Sequence, residues 1–170
     1  VLVPRRTPYN KDGGGLVMQT LVTDREWLDQ VDPFAPVATA NSAKLLSSLT
    51  YQESGKKLAA VVRSCEVRAF IELVKLKQGR MEDLLLIGID CNGRYENGDY
   101  LRYVDGAEDS TISFLGGIYD GKGTDHDLGF DITDACKSCE FPVAENVDIR
   151  LCVFGQDPRE RIHLEVLSDT

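Results

Sequence analysis

The chain has 170 residues, 42% hydrophobic and 28% charged, an ordinary composition for a globular protein and enough length to bury a core. Its net charge of −9 at pH 7 argues against a nucleic-acid partner, which would need a basic face for phosphates. No apolar run approaches the ~18 residues of a membrane helix, so no membrane span is expected.

Val1-Leu-Val-Pro4 reads as a strand already under way, and the chain stops at Leu167-Ser-Asp-Thr170 without a clear terminal element. The expectation is one α/β domain over 1–170, a piece of a longer polypeptide. A flexible loop is expected at Asp12-Gly-Gly-Gly15, then a strand from Leu16 to Val22. Thr23-Asp-Arg-Glu26 has the form of a capping box opening a helix, which Pro33 and Pro36 must keep short. Ala38-Thr-Ala-Asn-Ser-Ala43 then leads into a helical pattern with Leu45, Leu46 and Leu49, for which Asn41 or Ser42 would serve as N-cap.

The next segment is the most regular. Leu58-Ala-Ala-Val-Val62 and Leu84-Leu-Leu-Ile-Gly-Ile89 are apolar without alternation, as strands covered on both faces are. Between them Val67, Phe70, Ile71 and Val74 recur at i, i+3, i+4 and i+7, one buried face of a helix over Glu66 to Gln78 closed by Gly79. Arg68, Lys75 and Lys77 fall off that stripe. Strand, helix, strand is a βαβ unit, right-handed in nearly all known proteins.

From Asn92 to Asp131, glycines at 93, 98, 106, 116, 117, 121, 123 and 129 suggest turns joining short strands, one of them Thr111 to Leu115. Two final strands are expected, Val147 to Phe154 and Ile162 to Leu167, the second alternating through Ile162, Leu164 and Val166. The expected fold class is α/β, a mixed sheet built on the right-handed βαβ unit with a cysteine-lined loop region.

Chemistry concentrates in the cysteines. The chain has five, an odd number, and the compact Cys136-Lys-Ser-Cys139 pair suits metal or redox chemistry better than a disulfide framework. A reducing, cytoplasmic setting is therefore expected. Cys65 and Cys91 follow the two apolar strands, where ligands of open α/β sheets bind. With Cys136 and Cys139 they make four thiols, the number an iron–sulfur cubane needs. A zinc site with four cysteines and a redox dithiol are the competing readings of the pair, and Cys152, inside a strand, reads as core. Arg63-Ser-Cys-Glu-Val-Arg68 joins a strand to a helix start, where free N–H groups favour an anion. Arg63 and Arg68 could hold a pyrophosphate there. His126 and His163 lack a partner at metal-ligand spacing and read as surface residues. The Gly121-Lys-Gly123 pattern lacks the strand–helix context of a nucleotide fingerprint, and no Ser/His/Asp constellation occurs.

Arg63-Ser-Cys-Glu-Val-Arg-Ala69, Glu72-Leu-Val-Lys-Leu-Lys-Gln78, Ile87-Gly-Ile-Asp-Cys-Asn-Gly93, Asp134-Ala-Cys-Lys-Ser-Cys-Glu-Phe-Pro142 and Asn146-Val-Asp-Ile149 occur in order and at natural spacing. Together with Pro36-Val-Ala-Thr-Ala-Asn-Ser-Ala-Lys-Leu45-Leu46 they resemble the beta subunit of coenzyme F-420 hydrogenases and related formate dehydrogenases. The likeness puts the family core at 41–155 and a leading segment at 1–40. It departs at Ser64, where the family tends to have proline, and over Asp105 to Asp131. The resemblance implies an oxidoreductase subunit with FAD and a 4Fe-4S cluster. Such a subunit passes electrons between a two-electron carrier, often the deazaflavin coenzyme F-420, and a partner. That partner would be a hydrogenase or formate dehydrogenase catalytic subunit, or another iron–sulfur subunit. Carried over by position, Cys65, Cys91, Cys136 and Cys139 would be cluster ligands, and Asn41, Ser42, Arg63, Ser64 and Arg68 would contact the flavin. A non-catalytic iron–sulfur relay and a zinc-stapled interaction domain are the alternatives.

Overall fold

A computed structural model describes residues 1–7, 16–106, 109–124, 129 and 131–168. The loop expected at Asp12 to Gly15 and His126 lie outside these residues. The architecture is α/β, a mixed six-stranded sheet. Its strands are β1 (Leu2–Arg6), β2 (Val17–Leu21), β3 (Leu58–Arg63), β4 (Leu84–Ile89), β5 (Ile149–Cys152) and β6 (His163–Val166). They lie in the order β2-β1-β3-β4-β5-β6. β1, β3, β4 and β5 run parallel, while β2 and β6 pair antiparallel at the two edges.

The βαβ unit forms as the hydrophobic pattern requires. β3 and β4 pair in parallel from Leu58↔Leu84 to Arg63↔Ile89, with helix α2 (Ser64–Lys75) between them in sequence. Val67 and Phe70 are fully buried and pack with Ala43 and Leu46 of helix α1 (Ser42–Thr50). Ala60 and Val62 of β3, Leu86 of β4 and Leu2 of β1 complete that cluster. Burying a side chain such as Phe70 contributes about 1.5–3 kcal/mol. Val3, Val61 and Ile89, the alternate residues of the same strands, pack with Val22 and Phe34 in a separate cluster.

The segment from Asn92 to Asp131 corrects the sequence reading. It holds helices α3 (Asn97–Gly106) and α4 (Ser110–Tyr119), and the strand expected at Thr111 to Leu115 is part of α4. Asp109 caps α4 by accepting from the N–H groups of Thr111 and Ile112, both at 3.1 Å. Four aromatic rings then close the second face: Tyr95 meets Tyr103 at 5.2 Å and Phe114 at 5.5 Å, and Tyr100 joins their cluster. Such tilted and edge-on contacts are the arrangements ring quadrupoles favour.

Two smaller expectations also change. The segment after β2 is a 3-10 helix, Arg25–Gln30, capped by Asp24, whose side chain accepts from the Glu26 N–H. Thr23 is therefore not the cap of an α-helix. The Cys-x-x-Cys pair is not carried on a loop: Cys136 belongs to the short helix α5 (Asp134–Lys137), and Cys139 follows it. Among the described residues no helix is long and apolar enough to cross a membrane.

Candidate functional site

β3, β4 and β5 all end at one cleft of about 670 Å³. Its wall is built from Arg63 to Glu66 after β3, Cys91 to Arg94 after β4, Phe154 after β5, residues 38–41 before α1, and parts of 133–142. Backbone hydrogen bonds fix these segments to one another. The Cys91 N–H donates to Pro142 O at 2.9 Å, the Thr133 N–H to Arg94 O at 2.8 Å, and the Tyr95 N–H to Pro36 O at 2.8 Å. Asp90 is buried at the end of β4 and accepts from the Ala144 N–H at 3.1 Å. Gly93 adopts φ 100°, and a side chain there would meet Ile132 at 2.9 Å, so the turn after Cys91 needs glycine.

Cys65, Cys91, Cys136 and Cys139 all line this cleft, although they lie far apart in the sequence. Burial pushes the Cys65 thiol up to about 11, the Glu66 carboxylate and the Cys91 and Cys136 thiols add to the rise, and Arg63 opposes it. Cys65 is nonetheless an exposed residue that lines the cleft. Cys91 is also raised, mainly by burial and further by Cys136 and Cys139, against the pull of Arg63 and of the Gly93 N–H, which lies 3.4 Å from its sulfur. Cys65 thus lies in the field of Cys91 and Cys136, and Cys91 in that of Cys136 and Cys139. Thr133 caps α5, its hydroxyl accepting from the Cys136 N–H at 3.3 Å, and the Cys139 N–H donates to Cys136 O at 3.1 Å. Among the described residues, no group of three or more His, Cys, Asp or Glu side chains is already arranged to hold a metal ion. Cys152 stands apart on β5, where its sulfur accepts from Arg150 Nε at 3.4 Å.

The other sequence candidates divide. Asn41, Arg63 and Ser64 line the cleft. Asn41 is also the N-cap of α1, accepting from the Ala43 N–H at 2.9 Å. Arg63 is buried, and its Nη2 donates to the carbonyls of Ala35 and Val37 at 2.5 and 2.7 Å, holding the chain ahead of α1 against the end of β3. Ser42 does not line the cleft; it is buried and donates to Glu66. Arg68 is exposed beyond the rim, where its guanidinium stacks 4.2 Å from the ring of Phe141, a residue of the cleft wall. His163 is exposed at the sheet edge.

Sequence reasoning missed three contributors. Glu66 reads as an ordinary helix residue, yet its carboxylate joins the starts of α1 and α2; a Glu at the third position of a helix was the available signal. Phe141 and Phe154 are 48% and 43% exposed and both line the cleft, which gives its wall two open aromatic surfaces. Phe141 lies within the Asp134–Pro142 stretch that carries the resemblance but had no role there, and nothing in the local sequence marked Phe154.

The fold and cleft define an α/β protein with a cysteine-bearing crevice at the carboxyl ends of its parallel strands. No family model matches the chain, and no curated protein matches it either.

Proposed function

We propose that this chain is an oxidoreductase subunit of the coenzyme F-420 hydrogenase and dehydrogenase beta type, carrying FAD and a 4Fe-4S cluster. The observation that supports it best is the meeting of Cys65, Cys91, Cys136 and Cys139 at one cleft. In kind and number these donors suit a cubane, and they lie where open α/β sheets bind their ligands. In this reading the four sulfurs would hold the cluster, and Asn41, Arg63 and Ser64 would face the flavin. The two cofactors together would supply the exchange of a hydride pair for single electrons.

The chain's own residues have definable tasks. Arg63 presents a fixed positive charge at the cleft wall, because two backbone carbonyls orient it. That charge opposes the upward shift of both Cys65 and Cys91 and so favours their thiolates. The Gly93 N–H beside the Cys91 sulfur favours its anionic form in the same way. Arg68 acts as a positioning residue by stacking on Phe141. A deazaflavin of the F-420 type is the proposed two-electron substrate. A hydrogenase, formate dehydrogenase or iron–sulfur subunit is the proposed partner, in a reducing cytoplasmic setting.

The test is anaerobic purification and reconstitution with iron and sulfide, followed by iron, sulfide, zinc and flavin assays. About four iron and four sulfide per chain, with a broad visible band, is the expected result. Serine at Cys65, Cys91, Cys136 or Cys139 should each lower the iron content, while Cys152→Ser should not. Zinc without colour, or unchanged iron in Cys65→Ser, would overturn the assignment. A cluster without flavin would leave an electron relay rather than an oxidoreductase.

A further inference from the structure

The two arginines that the sequence offered for a pyrophosphate are both engaged elsewhere. Arg63 is buried, and its Nη2 is spent on the carbonyls of Ala35 and Val37. Arg68 lies beyond the rim with its guanidinium against Phe141. Among the described residues the cleft wall carries one further cation, Arg94.

Arg94 stands three residues after Cys91 and is held at two points. Its carbonyl accepts the Thr133 N–H at 2.8 Å, and its Nη1 donates to Tyr95 O at 3.0 Å. Tyr95 is fully buried and its own N–H is bound to Pro36 O, so the guanidinium is anchored to the core at one end. Glu96 approaches the same Nη1 at 3.7 Å, with most of its side chain in solvent. Nε and Nη2, the long edge of the guanidinium, have no partner among the described residues. The side-chain amide of Asn97, on the same wall, has none either. Two parallel N–H groups at that edge match two oxygens of a phosphate, a pairing that a lysine cannot reproduce.

We infer that Arg94 is the phosphate-holding residue of this cleft, gripping two oxygens of a bound ligand's phosphate through Nε and Nη2, with the Asn97 amide donating beside it. The inference rests on the reading of the cleft as a flavin site. It moves the phosphate contact from the start of α2 to the segment after β4. The pyrophosphate of FAD and a phosphate ester on the two-electron carrier present the same oxyanion chemistry. Glu96 sets the strength of the grip, because a carboxylate this close to the guanidinium weakens the field that an anion feels. With a net charge of −9, the chain as a whole repels anions, so phosphate affinity has to be local.

Calorimetric titration of the full chain, metal-free and reduced, with inorganic pyrophosphate tests this directly. Binding is expected, weakened roughly tenfold in Arg94→Gln. Arg94→Lys keeps the charge without the fork and should recover only part of the loss. Glu96→Gln should tighten binding, which keeps the test decisive where Arg94→Gln fails to fold. Two further arms separate the sources. FAD against riboflavin, which has no phosphate, reads the flavin. A deazaflavin with and without its phosphate ester, offered to the FAD-loaded chain, reads the carrier. In whichever arm Arg94 acts, the substitution should weaken the phosphate-bearing ligand and leave the phosphate-free one unchanged. A chain that binds no flavin would sink the flavin reading, while the pyrophosphate titration still decides the role of Arg94. No pyrophosphate binding up to about 10 mM, or equal binding by parent and Arg94→Gln, would overturn the inference. Equal weakening of riboflavin and FAD would also overturn it, in favour of a structural role.

Discussion

One oxygen of Glu66 accepts both the backbone N–H and the hydroxyl of Ser42, at 3.0 and 2.5 Å, while its other oxygen accepts the Arg63 N–H at 2.9 Å. A single buried carboxylate therefore satisfies free donors at the starts of two helices and fixes the angle between them. Both helix starts adjoin the cleft, which makes Glu66 a determinant of its shape.

Replacing that carboxylate should be costly. Glu66→Ala leaves two backbone N–H groups and a hydroxyl without their acceptor in a buried place, and about 2–4 kcal/mol of stability should be lost. Ser42→Ala removes one of the three bonds and should cost about 1 kcal/mol. Urea unfolding of the two variants measures both. Equal losses would show that Glu66 acts through Ser42 alone.

Gly88 in β4 marks a close approach. A side chain there would lie 2.6 Å from the Ala144 Cβ and 2.9 Å from Val147 Cγ1. Gly88→Ala should therefore cost about 1–3 kcal/mol by overpacking and push the segment after the Cys-x-x-Cys pair away from the sheet. Thermal unfolding would register the loss. A substitution without effect would mean that this segment yields freely.

Asp109 gives stability a pH dependence. Burial would raise its carboxyl, but the Ile112 and Thr111 N–H groups and the Arg6 guanidinium outweigh that and hold it below the usual range. A carboxylate lowered in the folded state contributes stability that is present above its unfolded value, about 4, and is lost as pH falls through the folded value. Asp109→Ala should cost about 1 kcal/mol at pH 7, and the difference from the parent chain should shrink as pH falls below about 4. Denaturant titrations at pH 7 and pH 3 compare the two. A difference that stays constant would rule out the charge as its source.

In the metal-free chain the Cys65 thiol should be a poor nucleophile at neutral pH. With its value pushed up to about 11, alkylation by iodoacetamide should be slow at pH 7 and accelerate up to pH 11. Mass spectrometry of the Cys65 peptide against pH gives the profile. A midpoint near 8.5, the ordinary thiol value, would mean that the site opens fully to water when empty.

The sequence carried the central βαβ unit to within a few residues, because apolar runs without alternation and a 3.6-residue stripe each have one stable solution. The register of Leu58 with Leu84 came only from the structure, because strands apolar on both faces have no alternation to fix it. It failed over α4, where Ser110 to Tyr119 is apolar nearly all round and contains Gly116 and Gly117. The exposed face of α4 carries Ile112, 50% open, beside Ser113, so no polar stripe reveals the helical period, and β-branched Thr111 and Ile112 favoured a strand. The helix is settled by Asp109 at its start and by burial of Phe114 and Leu115 among tyrosines far away in sequence.

For the site, the sequence by itself determined the donors: four cysteines at strand ends and in a Cys-x-x-Cys pair, and an arginine at a helix start. Composition and spacing are local, and they fix which chemistry is available. Only the tertiary structure decided who shares the cleft. It turned Ser42 inward to Glu66, left Cys152 on β5, placed Arg68 outside against Phe141, and brought Phe154 into the wall. Those outcomes depend on which strands lie side by side and on which buried donors must find acceptors, and neither condition is written at any single position of the chain.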